Sequence, residues 1–183
     1  MSDRWSVGGF LTRLISAIQQ QLQTSGGRYQ VTPMLSRFIG EDIPGNQIWA
    51  GRAVTYLSPA GRAPYALTFR GGRICDAGGN LFDTTGAESL FSDGRAIFVM
   101  DADGNFFASK DQRVGEFHHS SLVAGDPVAA AGELEVNGGV LTALSDKSGH
   151  YTPAQRYTAQ AIDRLTKNHI LFQGVTLDLI SRK

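Results

Sequence analysis

Two short segments of the chain place imidazoles beside hydroxyls: Phe117-His118-His119-Ser120-Ser121 and Ser148-Gly149-His150-Tyr151-Thr152-Pro153. They hold three of the four histidines. Imidazole is the side chain whose ordinary pKa lies nearest neutral pH, so such a grouping suits proton transfer or ligand binding. Between the segments runs Gly125-Asp126-Pro127-Val128-Ala129-Ala130-Ala131-Gly132-Glu133-Leu134-Glu135-Val136, small residues that let backbones approach closely before passing into an expected strand.

The elements that must position these groups read as α+β, a mostly antiparallel sheet with an N-terminal amphipathic helix and a C-terminal helix. Phe10, Leu11, Leu14, Ile15, Ile18 and Leu22 recur at helical spacing, and Thr24-Ser25-Gly26-Gly27 ends that helix. Residues 1–40 form an accessory N-terminal segment and 41–183 a single α+β domain. Ile48 to Leu57 reads as a strand, followed by Tyr65 to Phe69 turning through Gly71-Gly72 into Arg73-Ile74-Cys75. Ala96-Ile97-Phe98-Val99-Met100 is a continuous apolar run and reads as a buried central strand. Asp101, Asp103 and Asn105 alternate around Gly104, but position twelve of that loop is Gln112, so it reads as a hairpin turn rather than a calcium loop. Asn137-Gly138 joins Glu133–Val136 to Gly139–Leu144 as a hairpin. Thr152 and Pro153 read as N-cap and first residue of the last helix, and Val175, Leu177 and Leu179 alternate in a final strand.

Composition narrows the functional classes. Lys+Arg and Asp+Glu are both 17, which gives no broad electrostatic footprint for nucleic acid. No apolar run is long enough for a membrane span, and Met1-Ser2-Asp3-Arg4-Trp5 does not open a signal peptide. These features predict a soluble chain without a signal peptide; they leave its localisation open, with a specialised secretion system as one candidate route of delivery. Cys75 is the single cysteine, so no internal disulfide forms.

From Tyr56 to Pro153 the chain resembles the globular region of plant IQ-motif-containing calmodulin-binding proteins and of related bacterial effector or toxin-like domains. The resemblance rests on Tyr56-Leu57-Ser58-Pro59, Phe82-Asp83-Thr84, Ile97-Phe98-Val99-Met100, His119 to Gly125, Ala130-Ala131-Gly132 and Ser148 to Pro153. Ile18-Gln19-Gln20-Gln21 lacks the basic spacing of an IQ motif, so calmodulin binding is not carried over through that motif.

A second similarity is to ADP-ribosyltransferases of the histidine–tyrosine type. It implies NAD as cofactor, with His119, Ser120 and Tyr151 binding it. His119, Ser121, His150 and Tyr151 become the catalytic set in one pocket, and Asp163 or Asp178 stands in for the late acidic residue. An arginine-type version would use Arg52, Ser120 and Glu133 or Glu135. The leading expectation is thus an effector or toxin-like transferase acting on a host protein, with a neutralising or chaperone partner at the N-terminal helix. A distant second is a two-histidine phosphoesterase built on His118-His119-Ser120 and His150-Tyr151-Thr152. A zinc site from His118, His119 and His150 would need Glu116 or Asp126 and is not expected. The alternative from a different class is a non-catalytic module that binds a host or partner protein. In that case His119 and His150 hydrogen-bond buried groups, and Ser120 and Ser121 cap a helix. The discriminating observation is whether His119 and Tyr151 face an open cleft or are buried.

Overall fold

The computed structural model describes residues 10–181. Met1–Trp5, where the start of the chain was read, and the side chains of Phe10 and Leu11 lie outside the described residues. Helix α1 spans Phe10–Thr24, a short α2 Pro59–Arg62 and α3 Gln155–Lys167. The strands are β1 Thr68–Arg70, β2 Arg73–Cys75, β3 Ala96–Met100, β4 Phe106–Ser109, β5 Ala130–Asn137, β6 Val140–Ser145 and β7 Thr176–Asp178. β1 and β2 form a separate antiparallel hairpin, and the main sheet has the order β4-β3-β5-β6-β7. Every neighbouring pair in it is antiparallel except β6 with β7. The α+β architecture is as the patterning predicts.

The apolar run of β3 is fully buried because both faces of the sheet are covered. Phe98 and Met100 face one way, into a core with Phe106, Leu134, Leu144 and helices α1 and α3. Ile97 and Val99 face the other way, against Phe107, Phe117, Leu122, Val123 and Tyr151. Strand alternation thus sends successive residues into two layers. On the first layer α1 lies against α3, burying Ile18 and Leu22. Tyr29 is also buried there, its hydroxyl 2.7 Å from Asp163, so residues 1–40 contribute directly to the core. The second layer carries the histidine segments.

Three expectations are corrected. Residues 48–57 form no strand, because Asn46 folds residues 41–52 back on themselves. Its amide donates to the carbonyls of Glu41, Ile43 and Arg52, and its side-chain oxygen accepts from the N–H groups of Ile48 and Trp49. Ala50 and Gly51 are left-handed, at φ 52° and 87°, which ends any extended run. The N–H groups of Val54, Thr55 and Leu57 then donate to Glu41, Glu116 and Ser121 rather than to a strand. Tyr65 belongs to a 3-10 helix, Ala63–Tyr65, that follows α2, whose N-cap Ser58 accepts from Gly61 N. Finally, α3 has Ala154 as its N-cap, two residues beyond the expected Thr152, which itself is left-handed at φ 39°.

Candidate functional site

The first histidine segment is not a strand. His118 is the extended N-cap of a 3-10 helix, His119–Val123, and the Ser121 side chain folds back onto the His118 backbone N–H. The Ser121 hydroxyl accepts from His118 N at 2.9 Å, and Gly115 N donates to His118 Nε2 at 2.9 Å. The helix ends at Ala124, left-handed at φ 53°. This short helix packs on β3 and directs His119 toward β5, where Nε2 lies 2.8 Å from the Gly132 carbonyl. A carbonyl only accepts, so His119 carries its proton on Nε2.

At the centre of the polar cluster stands Glu41, a carboxylate with no exposed surface. Ser120 Oγ donates to Oε1 at 2.6 Å and Tyr56 OH at 3.2 Å. Trp49 Nε1 and His150 Nε2 donate to Oε2, each at 2.9 Å. Four donors therefore converge from three separate segments on one carboxyl group. Burial alone would raise its pKa, but the hydrogen bonds from His150, Ser120 and Trp49 outweigh burial and hold it below its ordinary value.

Aromatic rings close the cluster from outside. Phe38 stacks on His150 at 4.0 Å between centroids, His150 lies 4.4 Å from His118, and Trp49 stacks on His118 at 5.1 Å. Phe38 and Trp49 are half-buried, with the Arg37 guanidinium 4.9 Å over the Phe38 ring. Beneath them His118 is pushed down to about 4, by burial first and then by the neighbouring His150. His119 is pushed to about 3, again mainly by burial. Both are neutral imidazoles at pH 7.

The structure brings Ser120 and His150 onto one carboxylate. It sends the other sequence-derived site residues to separate stretches of backbone: His119 to Gly132, Ser121 to His118, and the Tyr151 hydroxyl to the Asp126 carbonyl at 2.8 Å. Glu41, His118, His119, Ser120, Ser121, His150 and Tyr151 are all between 0% and 4% exposed. Tyr151 packs in the second apolar layer, and burial raises its phenol above the ordinary range. His119 and Tyr151 thus meet the buried outcome of the discriminating observation. Arg52 is exposed, while Glu133 is buried in a different cluster, bonded by Ser89, Ser92 and Ser145 with Arg95 3.5 Å away. Among the described residues no three His, Cys, Asp or Glu side chains are placed to hold a metal ion.

Sequence reasoning missed Glu41. Gly40-Glu41-Asp42-Ile43-Pro44-Gly45 has the composition of an exposed loop, and nothing local marks its carboxylate as buried. The available signal was indirect: Trp49 and Tyr56, aromatic side chains with polar tips, seek hydrogen-bond partners when enclosed.

The family model for the IQ motif-containing protein middle domain matches residues 61–158, more than half of the chain. The IQ domain-containing protein IQM3 of Arabidopsis thaliana is 35% identical over 126 residues, covering 68% of this chain and 26% of that protein. IQM5 of the same plant is 28% identical over 130 residues, 70% of this chain and 25% of its own length. IQM2 is 31% identical over 120 residues, 65% of this chain and 19% of its own length. The chain therefore spans about a quarter or less of these relatives. No solved structure matches. These matches correct the expectation of a bacterial effector or toxin with ADP-ribosyltransferase chemistry, since the relatives are plant IQ domain-containing proteins. Both histidine segments fall within the matched range, whereas Glu41, Trp49 and Tyr56 precede it. The chain belongs to the family of the IQ motif-containing protein middle domain.

Proposed function

We propose that the chain is a non-catalytic protein-interaction module. The observation that carries this reading is the sealing of its reactive side chains. An acid–base or nucleophilic group must reach within hydrogen-bond distance of substrate, yet Glu41, His118, His119, Ser120, Ser121, His150 and Tyr151 are at most 4% exposed and already bonded to protein, and only the partly buried Trp49 and Tyr56 of the cluster reach the surface. Their arrangement does structural work instead. Glu41 ties the 38–57 loops, the 3-10 helix at His119–Val123 and the turn at Ser148–Thr152 into one rigid layer on the sheet. Such a layer presents fixed loops, and fixed loops on a rigid scaffold are where binding surfaces commonly sit.

The family supports the same class, because the relatives that the chain resembles are described as IQ domain-containing proteins. Calmodulin is not the partner we assign to α1. Its Ile18 and Leu22 are buried against the core, and no basic residue lies in its last turn.

The test pairs two titrations on the purified chain. Selection from a random peptide library should recover peptides with a shared motif whose binding persists in Tyr151→Phe. Titration with NAD should give no heat and no nicotinamide release. NAD binding or turnover that His119→Ala abolishes while keeping the wild-type melt would overturn the reading.

A further inference from the structure

The Gly71-Gly72 turn between β1 and β2, the start of β6 and the loop after α3 enclose a groove of about 530 Å³. Backbone chemistry shapes it. Gly71 and Gly72 are left-handed, and a Cβ on Gly72 would lie 3.1 Å from the His169 carbonyl, so the hairpin turn can sit close against the loop. His169 is itself left-handed at φ 64°, which turns the chain sharply after α3. Leu141 and Ile170 are buried and form the apolar floor. Val140 and Leu171 stand at its edges, 44% and 77% exposed.

The rim carries charge of one sign. Arg73 is exposed and has no ion pair or side-chain hydrogen bond among the described residues, and no carboxylate lines the groove. Arg28, Arg95, Arg113, Lys147 and Lys167 by contrast each lie beside a carboxylate of this chain. An unpaired guanidinium beside an exposed apolar trough is complementary to an apolar side chain with a carboxylate next to it.

We propose that this groove docks a short segment of a partner protein bearing one or two bulky apolar side chains flanked by Asp or Glu. The apolar groups lie over Leu141 and Ile170, and the carboxylate pairs with Arg73. The proposal rests on the interaction-module reading and gives it a surface and a partner chemistry. One segment of the chain itself has matching chemistry: Leu90 and Phe91, 49% and 46% exposed, between Glu88 and Asp93. Two side chains on a loop tip bury far less than the roughly 1,200 Å² of a stable interface between folded bodies. A flexible segment that follows the trough is therefore the better occupant than a second copy.

The experiment follows backbone amide shifts of the full chain during titration with two synthetic probes, acetyl-Asp-Leu-Phe-Asp-amide and acetyl-Lys-Leu-Phe-Lys-amide. The acidic probe should shift Gly71, Gly72, Arg73, Val140 and Leu171, and bind more tightly than the basic one. Arg73→Glu should weaken the acidic probe by roughly fivefold, the scale of an exposed ion pair, and favour the basic probe. Equal binding of both probes, or indifference to Arg73→Glu, overturns the assignment. Groove shifts that appear on concentrating the chain alone and vanish in Phe91→Ala make a second copy the occupant and also overturn it. Shifts confined to another surface, or none with either probe, reject the groove. The interaction-module reading is then still judged by its own library selection.

Discussion

Three of the four imidazoles are buried, His118 and His150 under Phe38 and Trp49 and His119 against the Gly132 carbonyl, while the fourth, His169, is exposed at the mouth of an apolar groove. The two regions invert the usual association between chemical richness and function. The sealed region contains a carboxylate, imidazoles, hydroxyls and a phenol, and each is held by another part of the chain. The groove contains little beyond aliphatic side chains and one unpaired arginine, yet it is open to solvent. Polar groups at such density in a small domain are as suited to fixing loops as to chemistry, because buried donors and acceptors must be satisfied and so specify one arrangement.

The largest effect should come from the seam between the two histidine segments. A Cβ on Gly132 would lie 1.8 Å from the Ser145 carbonyl oxygen and 2.7 Å from its carbon, backbone atoms that no rotamer change can move. Gly132 also supplies the carbonyl bonded by His119. Gly132→Ala should therefore abolish the cooperative melt, with a loss above about 4 kcal/mol of the kind that marks a severe mechanism. A variant that melts within a few degrees of wild type would show that β5 and β6 are less closely apposed.

Next in size is Glu41→Ala, which leaves Ser120, Trp49 and His150 without their shared acceptor. Removing one partner from a buried pair costs about 3–5 kcal/mol, readable as a shift of the urea midpoint. A loss below about 1 kcal/mol, the range of an exposed pair, would mean that water already reaches the cluster.

The sealed region also fixes a pH dependence. His118 and His119 titrate at about 4 and 3 in the fold against an ordinary 6.5, so the unfolded chain takes up protons first. Their contribution is complete above pH 6.5 and is lost as pH falls from there toward 3. Glu41, held below its ordinary 4.5, adds a second loss as pH falls through its folded value. Melting temperature should decline steadily from pH 7 to pH 4 and more steeply below. A flat profile down to pH 4 would mean that the imidazoles protonate freely in the folded state.

The smallest effect belongs to the groove. Leu171→Ser removes an exposed side chain and should change stability by no more than about 0.5 kcal/mol. A larger loss would place Leu171 in the core and close the trough.

The sequence was most legible where one physical pattern acted alone. The β3 run of five apolar residues stands as expected, and the β5–β6 hairpin forms too, with its two-residue turn on Gly138-Gly139, one position beyond the expected Asn137-Gly138. The stretch 48–57 misled because β-forming residues there follow an asparagine whose side chain satisfies the backbone more locally than a sheet would. The histidine segments were legible as unusual but not as structural. Their meaning depends on Glu41, which lies 109 positions from His150 in sequence and carries no local mark of burial. His169 drew no notice because it has no hydroxyl neighbours, and its exposure follows from a left-handed turn that sequence spacing does not encode.

Chemical modification of the native chain with diethyl pyrocarbonate, resolved by peptide mass mapping, reads the contrast between the two regions directly. Imidazole reacts only where reagent reaches a neutral ring nitrogen, so rate reports access. His169 should be carbethoxylated rapidly, while His118, His119 and His150 should remain unmodified until denaturant unfolds the chain. Modification of His119 or His150 in the native fold at a rate near that of His169 would show an open site, and would contradict the claim that the cluster is sealed and structural.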